Sequence, residues 1–257
     1  MKNPIQFSSR RSFVKKSLLT GAGVAGLVKG YSHTEAKKVK LPSELTVVFQ
    51  GDSITDAGRN KESQKVNDFR NMGYGYAMLA CAELMGGFPQ TKWSLYNRGI
   101  SGHKVPQLDA RWDKDTLDMK PDVVSILIGV NDYWHTFTHD YKGTVESYEK
   151  DFDALLKRTS DSQPGVKFII GEPFALKEGS SIQKLPNWYP GFYEYQKAAK
   201  RVADKHQAAW IPYQQIFDEA CEKAPFDYWG PDGVHPSFAG CQLMAQSWLK
   251  QLKNLYS

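Results

Sequence analysis

Cysteine is scarce in this chain of 257 residues, which carries only Cys81, Cys221 and Cys241. None sits at C-x-x-C or similar metal spacing, and an odd, sparse set does not make a disulfide framework. Cys221 and Cys241 remain a conceivable pair, but buried free thiols are the expectation. Long apolar runs are missing too. The stretch from Leu18 to Val28 has eleven apolar or small residues, against the ~20 that a membrane-crossing helix needs. No cysteine precedes Cys81, so neither a stable membrane anchor nor a lipid anchor is expected. Charge of one sign is also missing from the body of the chain. Six of the 33 cations and one of the 28 anions fall within residues 1–36, which leaves 27 of each elsewhere. The formal charge of +5 therefore belongs to the N-terminal segment, and no nucleic-acid partner is expected. Internal repeats, low-complexity tracts and signs of a second domain are absent.

What is present begins with Ser9-Arg10-Arg11-Ser12-Phe13-Val14-Lys15 ahead of the short apolar run. Twin arginines in that setting resemble a Tat signal, which exports an already folded protein. Residues 1–36 are accordingly expected to be a signal peptide with an open cleavage point, and 37–257 a single domain, periplasmic or secreted. Gly21-Ala22-Gly23-Val24-Ala25-Gly26 matches the dinucleotide pattern G-x-G-x-x-G. No strand precedes it, so it is a decoy.

Beyond the leader, short apolar runs alternate with longer amphipathic ones. Strands are expected at Leu45–Gln50, Trp93–Asn97, Val123–Ile128, Lys167–Gly171 and Ala209–Pro212. Helices are expected at Tyr74–Met85 (stopped by Gly86-Gly87), Val145–Thr159, Phe192–His206, Gln214–Lys223 and Phe238–Leu255. The Val123–Ile128 run is nearly all apolar, as a strand covered on both faces requires. Strands separated by helices imply right-handed crossovers and a parallel sheet. The expected fold is α/β, a three-layer α/β/α sandwich with about five parallel strands.

Four short motifs follow the strands or precede the last helix: Gly51-Asp52-Ser53-Ile54-Thr55, Asn97-Arg98-Gly99-Ile100-Ser101-Gly102, Gly129-Val130-Asn131-Asp132 and Asp232-Gly233-Val234-His235-Pro236. In an open parallel sheet, chemistry gathers beyond the carboxyl ends of the strands. Ser53 is the candidate nucleophile, though Asp-Ser-Ile-Thr is equally good helix-start chemistry. His235 is the candidate base and Asp232 its orienting carboxylate, because Asp-x-x-His lets one turn hold a carboxylate on the imidazole. The alternative there is a turn with a surface histidine. The Ser53 N–H, the Gly99 N–H and the Asn131 amide are candidate oxyanion donors; alone, the latter two read as a turn glycine and a loop asparagine. Jointly the five residues make an acyl-transfer site. Asp52 and Asp132 read as loop hydrogen-bonding groups. His135 and His139 have i, i+4 spacing but no evident third ligand, so no metal is expected.

These motifs, in this order, resemble the SGNH (GDSL) hydrolase superfamily, over the chain from about Leu45 to its C-terminus. The resemblance implies a flavodoxin-like fold, an acyl-enzyme mechanism with Ser53, Asp232 and His235, and no cofactor. The stretches Gly51–Arg59, Asn97–Trp112 and Lys120–Trp134 are similar to the bacterial acetylxylan esterase branch. That implies a serine carboxylesterase acting on short acyl esters, such as O-acetyl groups on a polysaccharide or smaller carbohydrate. One departure is Gly230-Pro231 before Asp232, where that branch places an aromatic; here Tyr228 and Trp229 come earlier. Trp112, Trp134, Trp188, Tyr189, Tyr228 and Trp229 are candidates to face a sugar, with core or rim packing the alternative for each. A lipid acyl hydrolase of lysophospholipase or thioesterase type, and a non-catalytic carbohydrate-binding relative, are the competing functions.

Overall fold

Val123–Leu127 is buried at every position, which makes it the centre of the fold. The computed structural model describes residues 39–183 and 188–257; the expected signal segment lies outside them. Five strands form one parallel sheet: β1 (Glu44–Gly51), β2 (Lys92–Asn97), β3 (Val123–Leu127), β4 (Lys167–Gly171) and β5 (Ala209–Ile211). The order is β2-β1-β3-β4-β5. This is the flavodoxin-like winding, whose switch point lies beside β1 at the carboxyl edge. Each strand falls within a residue or two of its expected position.

Alternation along β1 and β3 assigns the two faces. Phe49 pairs in register with Ser125. On their side the Phe49 ring lies 4.7 Å from Trp248 and 6.0 Å from Tyr76, and Trp248 Nε1 donates to Ser125 Oγ at 2.8 Å. Trp248 and Tyr76 belong to the helices Phe238–Leu255 and Tyr76–Gly87, which cover this face. Gln50 points the other way and donates to Thr116 Oγ1 and the Asp115 carbonyl, both at 2.8 Å. On that side Trp112 Nε1 reaches Thr159 on the helix Val145–Ser162, which packs against Gly191–Lys205. Two helical layers thus enclose the sheet, as expected.

Two expectations need correction. Gly86-Gly87 does not stop its helix, which runs through Gly87 and closes with Phe88 N–H donating to Leu84 O at 2.9 Å. Glycine costs a helix only about 1 kcal/mol per residue, too little to end one whose inner face is packed. The segment Val130–Thr138, where no helix is expected, is a nine-residue helix. Its entry, Gly129, has φ +132°, and a Cβ there would stand 2.8 Å from Tyr148 Oη and 3.0 Å from Pro173 Cγ. Gly129→Ala is therefore expected to lower stability by about 1–3 kcal/mol through backbone strain alone. A denaturant midpoint equal to that of the parent protein would contradict this.

Candidate active site

Ser53 opens a single helical turn, Ser53–Asp56, immediately after β1. Asp52 caps it, its Oδ1 accepting Ile54 N–H at 3.0 Å. With Asp52 as the cap, Ser53 takes the first helical position, where a backbone N–H has no helical acceptor. The hydroxyl meets the C-terminal motif: Ser53 Oγ lies 2.7 Å from His235 Nε2. His235 Nδ1 in turn lies 2.6 Å from Asp232 Oδ2. Asp232 Oδ1 also accepts the N–H groups of Val234 at 2.9 Å and His235 at 2.7 Å, so one carboxylate shapes the turn and orients the ring. Burial alone would raise the Asp232 carboxyl, but these donors outweigh it and hold it at about 2. The hydrogen bond to Asp232 raises His235 above the usual imidazole value, against the opposing pull of burial.

Gly99 packs directly on the nucleophile turn: a Cβ there would lie 2.4 Å from Asp56 N and 2.8 Å from Thr55 C. Any other residue would push the two motifs apart. Its N–H is engaged by Asn97 Oδ1 at 2.9 Å, and its carbonyl accepts Arg59 Nε at 2.7 Å. Asn131 is buried in the first turn of its helix, with Nδ2 donating to His103 O at 3.2 Å. A primary amide has two donor hydrogens, so one contact does not exhaust it.

Sequence reading passed over several residues that hold this arrangement. Asn97 Nδ2 donates to Thr55 O at 2.6 Å and Met72 O at 2.9 Å, tying β2 to the nucleophile turn. Buried Asp56 accepts from Ser101 N at 2.9 Å, Ser101 Oγ at 2.7 Å and Lys61 Nζ at 2.8 Å. Arginine, asparagine and aspartate in such numbers carry no periodic signal. Their meaning depends on partners dozens of residues away.

Asp52 and Asp132 act as local hydrogen-bond acceptors, the latter taking Val105 N–H at 3.0 Å. His135 Nδ1 faces Lys104 Nζ at 3.2 Å, so this imidazole accepts from an ammonium. Burial and that cation push His135 down to about 4. Among the described residues no group of three or more His, Cys, Asp or Glu side chains stands ready for a metal ion. All three cysteines are free, Cys81 and Cys241 being buried. No helix among the described residues is long and apolar enough to cross a membrane.

Beside Ser53 and His235 opens a cavity of about 480 Å³. One wall comes from the nucleophile turn and Tyr74, the other from Pro236, Phe238 and Cys241. Gly99 and Asn131 are not among its lining residues. The rings named as candidates to face a sugar mostly take the alternative of core or rim packing, Tyr228 alone being exposed. Trp112 and Trp188 are fully buried core residues, and Trp134, Tyr189 and Trp229 are half-buried against the core. Large rings dominate apolar burial, and this core uses them first.

Residues 49–243 match the GDSL-like lipase/acylhydrolase family. The chain belongs to that family. It is similar to an acetylxylan esterase of Geobacillus stearothermophilus, with 30% identity over 216 residues, covering 83% of this chain and 96% of the relative. A crystal structure of a GDSL-like lipase from Parabacteroides merdae superposes with a TM-score of 0.80 at 46% identity, over 83% of this chain and 98% of that one. A structure of an acetylxylan esterase from Geobacillus stearothermophilus follows at 0.71 and 28%, over 81% and 94%. This GDSL-family chain is a carboxylic ester hydrolase.

Two carboxyls behind the site have no use in ester chemistry as acids. Burial raises both Asp52 and Asp132 to about 7, each also feeling the field of its neighbours, and one oxygen of each lacks a partner. The unfolded chain loses these protons near 3.8. Between those values the folded state binds more protons than the unfolded one, so stability falls as pH rises through the window. Asp132→Asn keeps the acceptor for Val105 and removes one such titration. The variant's Tm relative to the parent should therefore improve between about pH 4 and about pH 8. A calorimetric difference that does not move with pH would count against a buried proton at Asp132.

Proposed function

We propose that this esterase removes short acyl groups, above all O-acetyl groups, from carbohydrates through a covalent acyl-enzyme on Ser53. The observation that carries the mechanism is the continuous path from Ser53 Oγ to His235 Nε2 at 2.7 Å and from His235 Nδ1 to Asp232 at 2.6 Å. A serine hydroxyl becomes nucleophilic when a positioned base takes its proton as it attacks. His235 is that base, and Asp232 fixes its tautomer and stabilises the imidazolium that forms.

The steps balance without a further reactant except water. Ser53 Oγ bonds to the ester carbonyl carbon while its proton passes to His235 Nε2. The carbonyl oxygen, now negative, is received by the Ser53 N–H, the Gly99 N–H shared with Asn97, and the Asn131 amide. Collapse expels the alcohol oxygen, which takes the proton from His235. Water, deprotonated by the same nitrogen, then releases the acid and restores Ser53. The carbohydrate substrate is supported by the acetylxylan esterase relative. The Arg10-Arg11 leader supports export of the folded enzyme to acetylated polysaccharides outside the cytoplasm.

Three measurements test this reading. Ser53→Ala should abolish ester hydrolysis and covalent labelling by an organophosphate; turnover near the parent rate would end the mechanism. Asn131→Ala should lower kcat by about 10²–10³ while the protein stays folded. The base must be neutral to work, and its partner holds its proton on. The rate should accordingly rise with pH around a midpoint above about 6.5, the ordinary imidazole value. In Asp232→Asn the residual rate should lose that upward displacement, and an unchanged midpoint would remove Asp232 from the role assigned to it.

A further inference from the structure

The cavity beside the nucleophile, at about 480 Å³, far exceeds what a two-carbon acyl group occupies, and falls in the range of ~300–1,000 Å³ typical of whole small-molecule sites. Its outer walls carry two aromatic rings that the fold leaves uncovered. Tyr74 is 67% exposed and Phe238 83% exposed. Other rings are exposed as well, Phe69 at 75% among them, but Tyr74 and Phe238 are the ones that line the cavity beside the nucleophile.

Local structure sets where both residues sit, and it also backs the Tyr74 ring. Tyr74 lies against Gly58: a Cβ at that glycine would stand 2.4 Å from Tyr74 Cε1 and 3.1 Å from Cζ, so bare backbone backs one side of the ring. Tyr74 N–H also donates to Ala57 O at 3.0 Å, next to the nucleophile turn. Phe238 starts the last helix, three residues after His235, and its position is set by the Ser237 cap, whose Oγ accepts Gly240 N–H at 3.3 Å. Each ring is therefore anchored to one end of the Ser53–His235 pair.

We propose that Tyr74 and Phe238 form the platform for the sugar ring of the leaving alcohol, stacking its C–H faces beside His235. This rests on the carbohydrate-ester reading above and gives it a specific recognition surface. The alcohol must lie near His235, which returns the proton to it. A pyranose has apolar C–H faces and hydroxyl edges, so it covers an exposed ring while its rim stays in water. An alkyl chain on the same rings would remain half hydrated. The polar wall agrees. Ser101 Oγ donates to Asp56 at 2.7 Å and Ser237 Oγ donates to Tyr228 O at 2.5 Å, so both hydroxyl protons are committed inside the protein. These oxygens offer acceptors for sugar hydroxyls and no competing donors, leaving the rings to supply most of the contact.

Steady-state kinetics on the purified protein tests this, with xylose tetraacetate, ethyl acetate and ethyl octanoate as substrates. Tyr74→Ala and Phe238→Ala should each lower the ratio of kcat/KM for the sugar acetate over ethyl acetate by about five- to tenfold, mainly through KM, the size expected for one aromatic contact. Tyr74→Phe and Phe238→Tyr should restore the ratio. An equal fall for both acetates would make the rings supports of the site and overturn the proposal. So would an unchanged ratio, or a loss confined to the octanoate, which would place the acyl chain on the rings. If the parent enzyme cleaves ethyl acetate but no sugar acetate, the carbohydrate reading falls and takes the platform with it. If it cleaves sugar acetates and the alanine variants match it, the platform alone falls.

Discussion

A single hydrogen bond, Ser53 Oγ to His235 Nε2 at 2.7 Å, joins residues 182 positions apart and depends on nearly everything else in the structure. It exists because β1 delivers Ser53 to the carboxyl edge of the sheet and the helix Phe238–Leu255 returns over the same face. Phe49 on β1 stacks on Trp248 of that helix, and Ser125 on β3 binds the Trp248 N–H. The core contact and the reactive pair are thus two ends of one arrangement. Loosening the packing of Trp248 would move His235 relative to Ser53.

Polar groups around the pair divide by burial. Asp232 and His235 remain partly exposed; their mutual hydrogen bond is what raises His235, and at Asp232 it joins two backbone N–H donors in outweighing burial. Asp52 and Asp132 are sealed behind the nucleophile turn, where losing water costs a charged carboxylate more than its few donors return. The first pair leaves His235 at the wall of the cavity with Asp232 behind it. The second serves the backbone, holding Ile54 and Val105 in place. One short stretch, Asp52-Ser53, therefore contains the proposed nucleophile and a group that shapes its turn.

The aromatic residues show a similar division. Thirteen phenylalanines, thirteen tyrosines and seven tryptophans are too many for any one to be read as a substrate contact from sequence. Most fill the two layers between helices and sheet. Tyr74 and Phe238 stand apart only because they line the cavity and remain uncovered. Neither belongs to a motif, so no pattern in the chain marks them.

Much was legible before any coordinates. The runs that became β1 to β5 are short and apolar, and their alternation with amphipathic segments dictates a parallel α/β sheet. Ser53, Asp232 and His235 were legible because an Asp-x-x-His turn and a strand-ending serine have few other reasons to occur together. The helix Val130–Thr138 was hidden, since it is only nine residues long and opens inside a motif that reads as loop chemistry. The roles of Asn97, Arg59 and Asp56 were hidden as well. Local chemistry is written in neighbouring residues, so the sequence by itself determined the elements and the candidate groups for the reaction. Partnership between distant residues follows from strand order and layer packing. Only the tertiary structure decided which side chains brace the nucleophile turn and which rings remain open to a substrate.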